Sequence, residues 1–151
     1  MNKPLVYRHN RITRLTHWSN ALALMILLMS GLMIFNAHPH LYWGHTSEPE
    51  RALLSIGAKQ SGGEARGYVE VLGRRVDTTG LLGVQKTSEG ISQRAFPSWA
   101  TMPGYYSLAG ARRWHFFFGW VFTIAGLTYV IYNLAVGHMK KFLLTPADAA
   151  K

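Results

Sequence analysis

The sequence predicts an all-α membrane protein, two transmembrane helices joined by a long polar loop, and three observations carry that expectation. Residues 114–139 contain no Asp, Glu, Lys or Arg. As a helix they would reach about 39 Å, more than the roughly 30 Å hydrocarbon thickness of a bilayer. Residues 15–41 also lack all four charged types, around an apolar heart at 21–35. Mean hydropathy is near zero only because a polar, glycine-rich stretch separates these two segments.

Taken in order, residues 1–15 form a basic head with Lys3, Arg8, Arg11 and Arg14 and no acid. The first span is expected over 16–41. Its apolar heart has the length of a signal-peptide core, but Phe35-Asn36-Ala37 lacks the small-x-small pattern of a cleavage site, so the span is retained. Pro39 cannot continue a helical ladder, and Tyr42 and Trp43 suit the depth of lipid headgroups, so the helix ends there. Residues 42–111 form the loop. Within it, Tyr68, Val69 and Val71, followed by Leu72-Gly73 and Thr79-Gly80, allow a hairpin. Phe96, Trp99, Met102, Tyr105 and Tyr106, interrupted by Pro97, Pro103 and Gly104, predict an aromatic segment at the membrane surface. The second span is expected over 112–139, with Arg112 and Arg113 at one end and Lys140 and Lys141 at the other, where long basic side chains snorkel into headgroups. The tail, 140–151, sets Lys140, Lys141 and Lys151 against Asp148. Both short ends are net basic, which places both termini in the cytoplasm and the loop outside.

Composition narrows the function. Without cysteine there are no disulfides, thiolate metal sites, cysteine-held iron–sulfur clusters or covalently attached haem. The formal net charge of +9 is divided among head, loop and tail rather than gathered in a stripe, so it reads as membrane anchoring and not as nucleic-acid binding. No serine–histidine–acid set, phosphate loop or pair of intramembrane carboxylates marks an enzyme acting on its own.

The histidines are the chemical candidates. His17 opens the first span on the cytoplasmic side and His138 closes the second there, where a helix C-terminus favours a cation. His115 opens the second span on the outer side, near the level of His38, His40 and His45. His9 lies in the head. Ionisable groups at membrane depth are functional candidates, and imidazole is an axial ligand for haem iron. Arg14 precedes His17 by three residues and Arg112 precedes His115 by three, so each arginine shares a helical face with its histidine. Either could pair with a haem propionate, and either could anchor its helix at the interface. His115, Gly119, Phe122, Gly126, Asn133 and Gly137 fall on one face of the second helix: a histidine above a groove of glycines. A flat, bulky group could lie in that groove, or a neighbouring helix could approach closely there. His38, His40 and His45 could hold a metal if further ligands completed the site.

These residues also resemble a known family, the membrane cytochrome b subunits of Ni,Fe-hydrogenase, formate dehydrogenase and, most closely, thiosulfate reductase. The similar stretches are Arg11-Ile12-Thr13-Arg14-Leu15-Thr16-His17-Trp18, Ser30-Gly31-Leu32, Tyr42-Trp43-Gly44 and Phe96-Pro97-Ser98-Trp99-Ala100-Thr101-Met102-Pro103-Gly104. Arg112-Arg113-Trp114-His115-Phe116 and Gly137-His138 complete them. The resemblance implies half of a four-helix bundle that holds two b-type haems, one near each face of the bacterial inner membrane. Electrons would pass between quinone and a partner redox subunit of catalytic, iron–sulfur or molybdenum type. By carry-over, His17 ligates the cytoplasmic-side haem and His115 the periplasmic-side haem, with Arg14 and Arg112 as propionate partners. Gly31, Gly119 and Gly126 let the macrocycle approach the backbone.

The family's other two axial ligands come from its fourth helix, and after Lys141 this chain has no third or fourth helix. A truncated copy, a separate polypeptide supplying those helices, or a homodimer with His17 facing His17 and His115 facing His115 would each account for that. From a different class, a haem-free membrane anchor or assembly subunit would use the same hairpin without coordinating anything.

Overall fold

The computed structural model describes residues 11–44, 48, 51–87 and 90–136. Two helices bracket six strands: α1 Arg11–Phe35, β1 His40–Leu41, β2 Leu54–Ser61, β3 Glu64–Val71, β4 Arg74–Asp77, β5 Gly83–Thr87, β6 Gly90–Arg94 and α2 Leu108–Ala135. The all-α expectation is therefore wrong. The strands form two antiparallel sheets, one in the order β1-β2-β3-β4 and one a β5-β6 hairpin. The expected hairpin at Leu72-Gly73 is the β3–β4 connection, and both turn residues have positive φ, 49° and 77°, the combination that matches strand twist in a two-residue loop. Gly62-Gly63 makes the same kind of turn between β2 and β3, at 62° and 86°. The rest of the sheet was hidden because every residue of β4 and much of β2 and β3 is exposed or half-buried. Strands that bury little on either face carry no apolar–polar alternation to read.

The described residues fall into two compact units, one from Met1–Met25 with Phe117–Lys151 and one from Ile26–Phe116. In the first, the helices are apolar and mostly exposed, with Leu15, Trp18, Leu22, Trp120, Ile124 and Ile131 all more than half accessible. Thr16 donates to the Ile12 carbonyl at 3.0 Å and the Asn133 amide to the Tyr129 carbonyl at 2.7 Å, while Asn20 Oδ1 is buried without a hydrogen-bond partner. Both helices are long and apolar enough to cross a membrane, and an exposed apolar helix with internally paired backbone is what hydrocarbon accepts.

The second unit joins the end of α1, the sheets, the segment 95–107 and the start of α2. After Phe35 the ladder tightens, with Ala37 and His38 N–H bonding the Ile34 and Phe35 carbonyls at 3.1 Å, before Pro39 ends it. At the other end, Ser107 caps α2 by accepting the Gly110 N–H at 3.1 Å, an N-cap bond that starts this helix at Leu108. The two sheets meet through glycines. A Cβ at Gly67 would overlap the Leu82 carbonyl oxygen, and one at Gly83 the Gly57 carbonyl oxygen. Backbone here approaches backbone with little side chain between, leaving Ile56, Val84 and Ala95 as the buried apolar residues of the sheet region. The aromatic segment is fixed by polar bonds to the end of α1: Asn36 Oδ1 accepts the Phe96 N–H at 2.7 Å and the Met29 carbonyl accepts the Met102 N–H at 3.1 Å. Phe35 and Phe96 stack 6.0 Å apart, while Trp99 and Tyr105 project outward, each more than two thirds exposed.

Candidate functional site

The second unit builds a polar contact inside an apolar stretch. Ser30, fully buried on α1, lies 3.0 Å from His115 Nδ1 near the start of α2. Serine has one proton to donate, and Ser30 Oγ gives it to the Ile26 carbonyl at 2.7 Å. Toward the imidazole it is therefore an acceptor, so Nδ1 carries the ring proton and Nε2 the lone pair. A hydrogen bond that fixes the tautomer and ring direction is the usual outer partner of a metal-binding histidine. Gly31 completes the contact: a Cβ there would sit 3.6 Å from His115 Cε1 and 3.9 Å from Nδ1. The histidine ring rests against the α1 backbone at Gly31, and a side chain larger than methyl would push it away. A Cβ at Gly119 or at Gly126 would meet no atom within 4 Å, so the glycine face of α2 is open there.

His17 belongs to the first unit. It is exposed one turn after the equally exposed Arg14, and its ring stands edge-on to Trp18 at 5.9 Å. Arg112, exposed on α2, precedes His115 by one turn. Among the described residues neither arginine has an acidic partner; the ion pairs there are Arg51–Glu48, Arg66–Asp77 and Arg75–Glu70. The structure thus brings Gly31 to His115 and leaves the Arg14–His17 and Arg112–His115 relations to helix spacing. His9 and His138 lie outside the described residues.

Of the expected metal cluster, His38 and His40 come together, ring centroids 5.0 Å apart, with Tyr42 within 5.7 and 6.1 Å of them. His45 lies outside the described residues, and no group of three metal-binding side chains converges among those described. Burial first, and the neighbouring His38 second, hold His40 below the ordinary histidine value of 6.5. The folded chain then binds fewer protons than the unfolded one as pH falls through 6.5, so His40 supports full stability above that pH and loses it below. From pH 7.5 to 5 the protection of the 38–42 amides, corrected for the intrinsic slowing of exchange, should fall, and His40→Asn should remove that fall.

Two residues of this unit escaped sequence reasoning as functional groups. Ser30 is the one hydroxyl in the apolar heart 21–35, and that isolation was its available signal. Arg94 ends β6 with its guanidinium against Gly104, Thr101 and Met33. No spacing rule joins position 94 to position 33.

Two membrane-length helices, with a buried serine set against a histidine near the start of the second, are what the described residues bring together. The chain belongs to the prokaryotic cytochrome b561 family, whose model matches residues 8–150. Membership makes it a b-type cytochrome of a membrane-bound, electron-transferring family that binds haem b. No curated protein and no solved structure matches it.

Proposed function

We propose that this cytochrome is a membrane subunit carrying electrons between the quinone pool and a partner oxidoreductase subunit, with His17 and His115 as axial ligands to haem b. The observation that supports it best is the Ser30–His115 hydrogen bond at 3.0 Å within a chain of the cytochrome b561 family. The residues fit the group: with Nδ1 turned to Ser30 at 3.0 Å, Nε2 of His115 is the nitrogen left for iron. In this reading His17 serves the cytoplasmic-side haem and His115 the periplasmic-side haem. Both termini are cytoplasmic, residues 42–111 are periplasmic, and a second ligand for each iron comes from outside the described residues. Arg14 and Arg112 hold propionates near the headgroups.

When bound, the haem supplies one-electron chemistry. The protein contributes ligand direction, ligand basicity and a low-dielectric slot. Ser30 acts through His115: accepting the Nδ1 proton makes the imidazole more electron-rich, which favours ferric iron. Ser30→Ala is expected to keep the haem and raise its midpoint potential, read by optical redox titration; an unchanged potential would remove Ser30 from the site. The reading as a whole is tested by the reduced-minus-oxidised spectrum of the chain purified from a haem-replete membrane. A b-type spectrum lost in His17→Ala and His115→Ala supports it, and a b-type spectrum indifferent to both defeats the ligand assignment.

A further inference from the structure

Arg94 is a half-buried cation that stands over the Tyr106 ring at 5.9 Å and has no acidic partner among the described residues. Its Nη1 donates to the Gly104 carbonyl at 2.9 Å and its Nη2 to Thr101 Oγ1 at 3.0 Å. Nε is buried and makes no hydrogen bond, and none of the ion pairs among the described residues includes this arginine. Nη2 also reaches Met33 Sδ at 3.8 Å, a thioether that is a poor acceptor. A guanidinium presents paired N–H groups that match a carboxylate, and burial without an anion is costly. Burial accordingly pulls Arg94 below its ordinary value.

Position supplies the second half of the argument. Met33 follows Ser30 by three residues on α1, so the two share a face one turn apart, with Cβ atoms about 5–6 Å from each other. Ser30 holds His115 and Met33 touches Arg94, both inside the unit Ile26–Phe116. The guanidinium, with its Nε unpartnered, and the candidate ligand therefore meet adjacent turns of one face of α1. Met33 is fully buried but unbranched and adaptable, so it can swing aside from the Nη2 edge that it now faces at 3.8 Å.

We propose that Arg94 binds a propionate carboxylate of the haem ligated by His115, tying the 94–104 segment to the cofactor; this rests on the haem reading of His115 given above. Gly104 and Thr101 orient the guanidinium, and the propionate takes the edge that Met33 now faces. A cation paired to the propionate favours reduced iron and lowers the carboxyl pKa.

The test is a redox titration across pH on the full chain purified with its haem in mild detergent, comparing wild type, Arg94→Gln, Arg94→Lys and His115→Ala. Infrared redox-difference spectra with isotope-labelled propionates accompany it. In Arg94→Gln the potential of the His115-dependent haem should fall and its pH dependence move to higher pH, with Arg94→Lys partly restoring both. The labelled carboxylate bands should shift in both Arg94 variants. If Arg94→Gln does not fold, the infrared bands of Arg94→Lys decide alone, because lysine keeps the charge but loses the planar fork. A potential, pH profile and carboxylate bands matching wild type would overturn the proposal. So would loss of bound anionic lipid, read by native mass spectrometry, with the haem bands unmoved, which would assign Arg94 to a lipid phosphate. A full haem complement in His115→Ala would overturn the haem reading and this proposal together. Haem loss in His115→Ala with silent Arg94 variants would overturn this proposal alone.

Discussion

Replacing His115 by alanine is expected, on the ligation proposed above, to abolish the haem bound there while leaving the chain inserted in the membrane. The two effects separate because they have different physical origins. Insertion of α2 rests on its apolar length, 28 residues without an acid in its first turn, and alanine is a better helix former than histidine by about half a kcal/mol. Haem retention rests on one coordinate bond from a nitrogen that alanine does not have. The substitution also removes the partner of Ser30, whose hydroxyl keeps its bond to the Ile26 carbonyl and so leaves no orphaned donor. Haem per chain and the reduced-minus-oxidised band should both fall, with membrane partitioning and helical content unchanged. A haem content equal to wild type would remove His115 from the ligand set.

Gly67→Ala should be the most damaging methyl addition in the sheet region. The new Cβ would overlap the Leu82 carbonyl oxygen and lie 2.9 Å from the Val84 nitrogen. Both are backbone atoms on a tethered segment: the Leu82 N–H bonds the Thr78 carbonyl at 3.0 Å and the Gly83 N–H bonds the Ala95 carbonyl at 3.3 Å. No side-chain rotation relieves such a clash, so the β5–β6 hairpin must separate from β3. A cost of about 3 kcal/mol, the upper end for overpacking, is expected. Gly62→Ala offers the contrast. That glycine has φ of +62° with nothing within 4 Å of a Cβ, so alanine there meets only the left-handed backbone penalty of about 1–2 kcal/mol. Limited proteolysis and thermal unfolding followed by the sheet signal should rank Gly67→Ala well below Gly62→Ala. Equal stabilities would mean that the glycine contacts do not hold the sheets together.

These two variants also mark the line between what was legible and what was not. The two long apolar segments could be read because hydropathy over twenty residues is a local sum; the helices that overlap them run Arg11–Phe35 and Leu108–Ala135. The Leu72-Gly73 turn could be read because a two-residue hairpin is a local event. The sheets could not. Strands β2 to β4 expose most of their residues, and the close fit of Gly57, Gly67 and Gly83 joins positions whose spacing obeys no period. At the site, the sequence singled out His115 and Gly31 separately, one as a ligand and the other as room for a macrocycle. Folding gave Gly31 a different neighbour, the imidazole itself.

By itself the sequence determined the apolar lengths, the absence of thiol chemistry, the basic ends and the histidines, because each is a property of one stretch of chain. Family membership followed from the ordered motifs along 8–150. Only the tertiary structure decided that Ser30 meets His115 Nδ1 across 85 positions of chain and that Arg94, with no acidic partner, stands beside Met33. Hydrogen bonds of that kind depend on distances of about 3 Å between distant residues, and no local pattern of residue types encodes them.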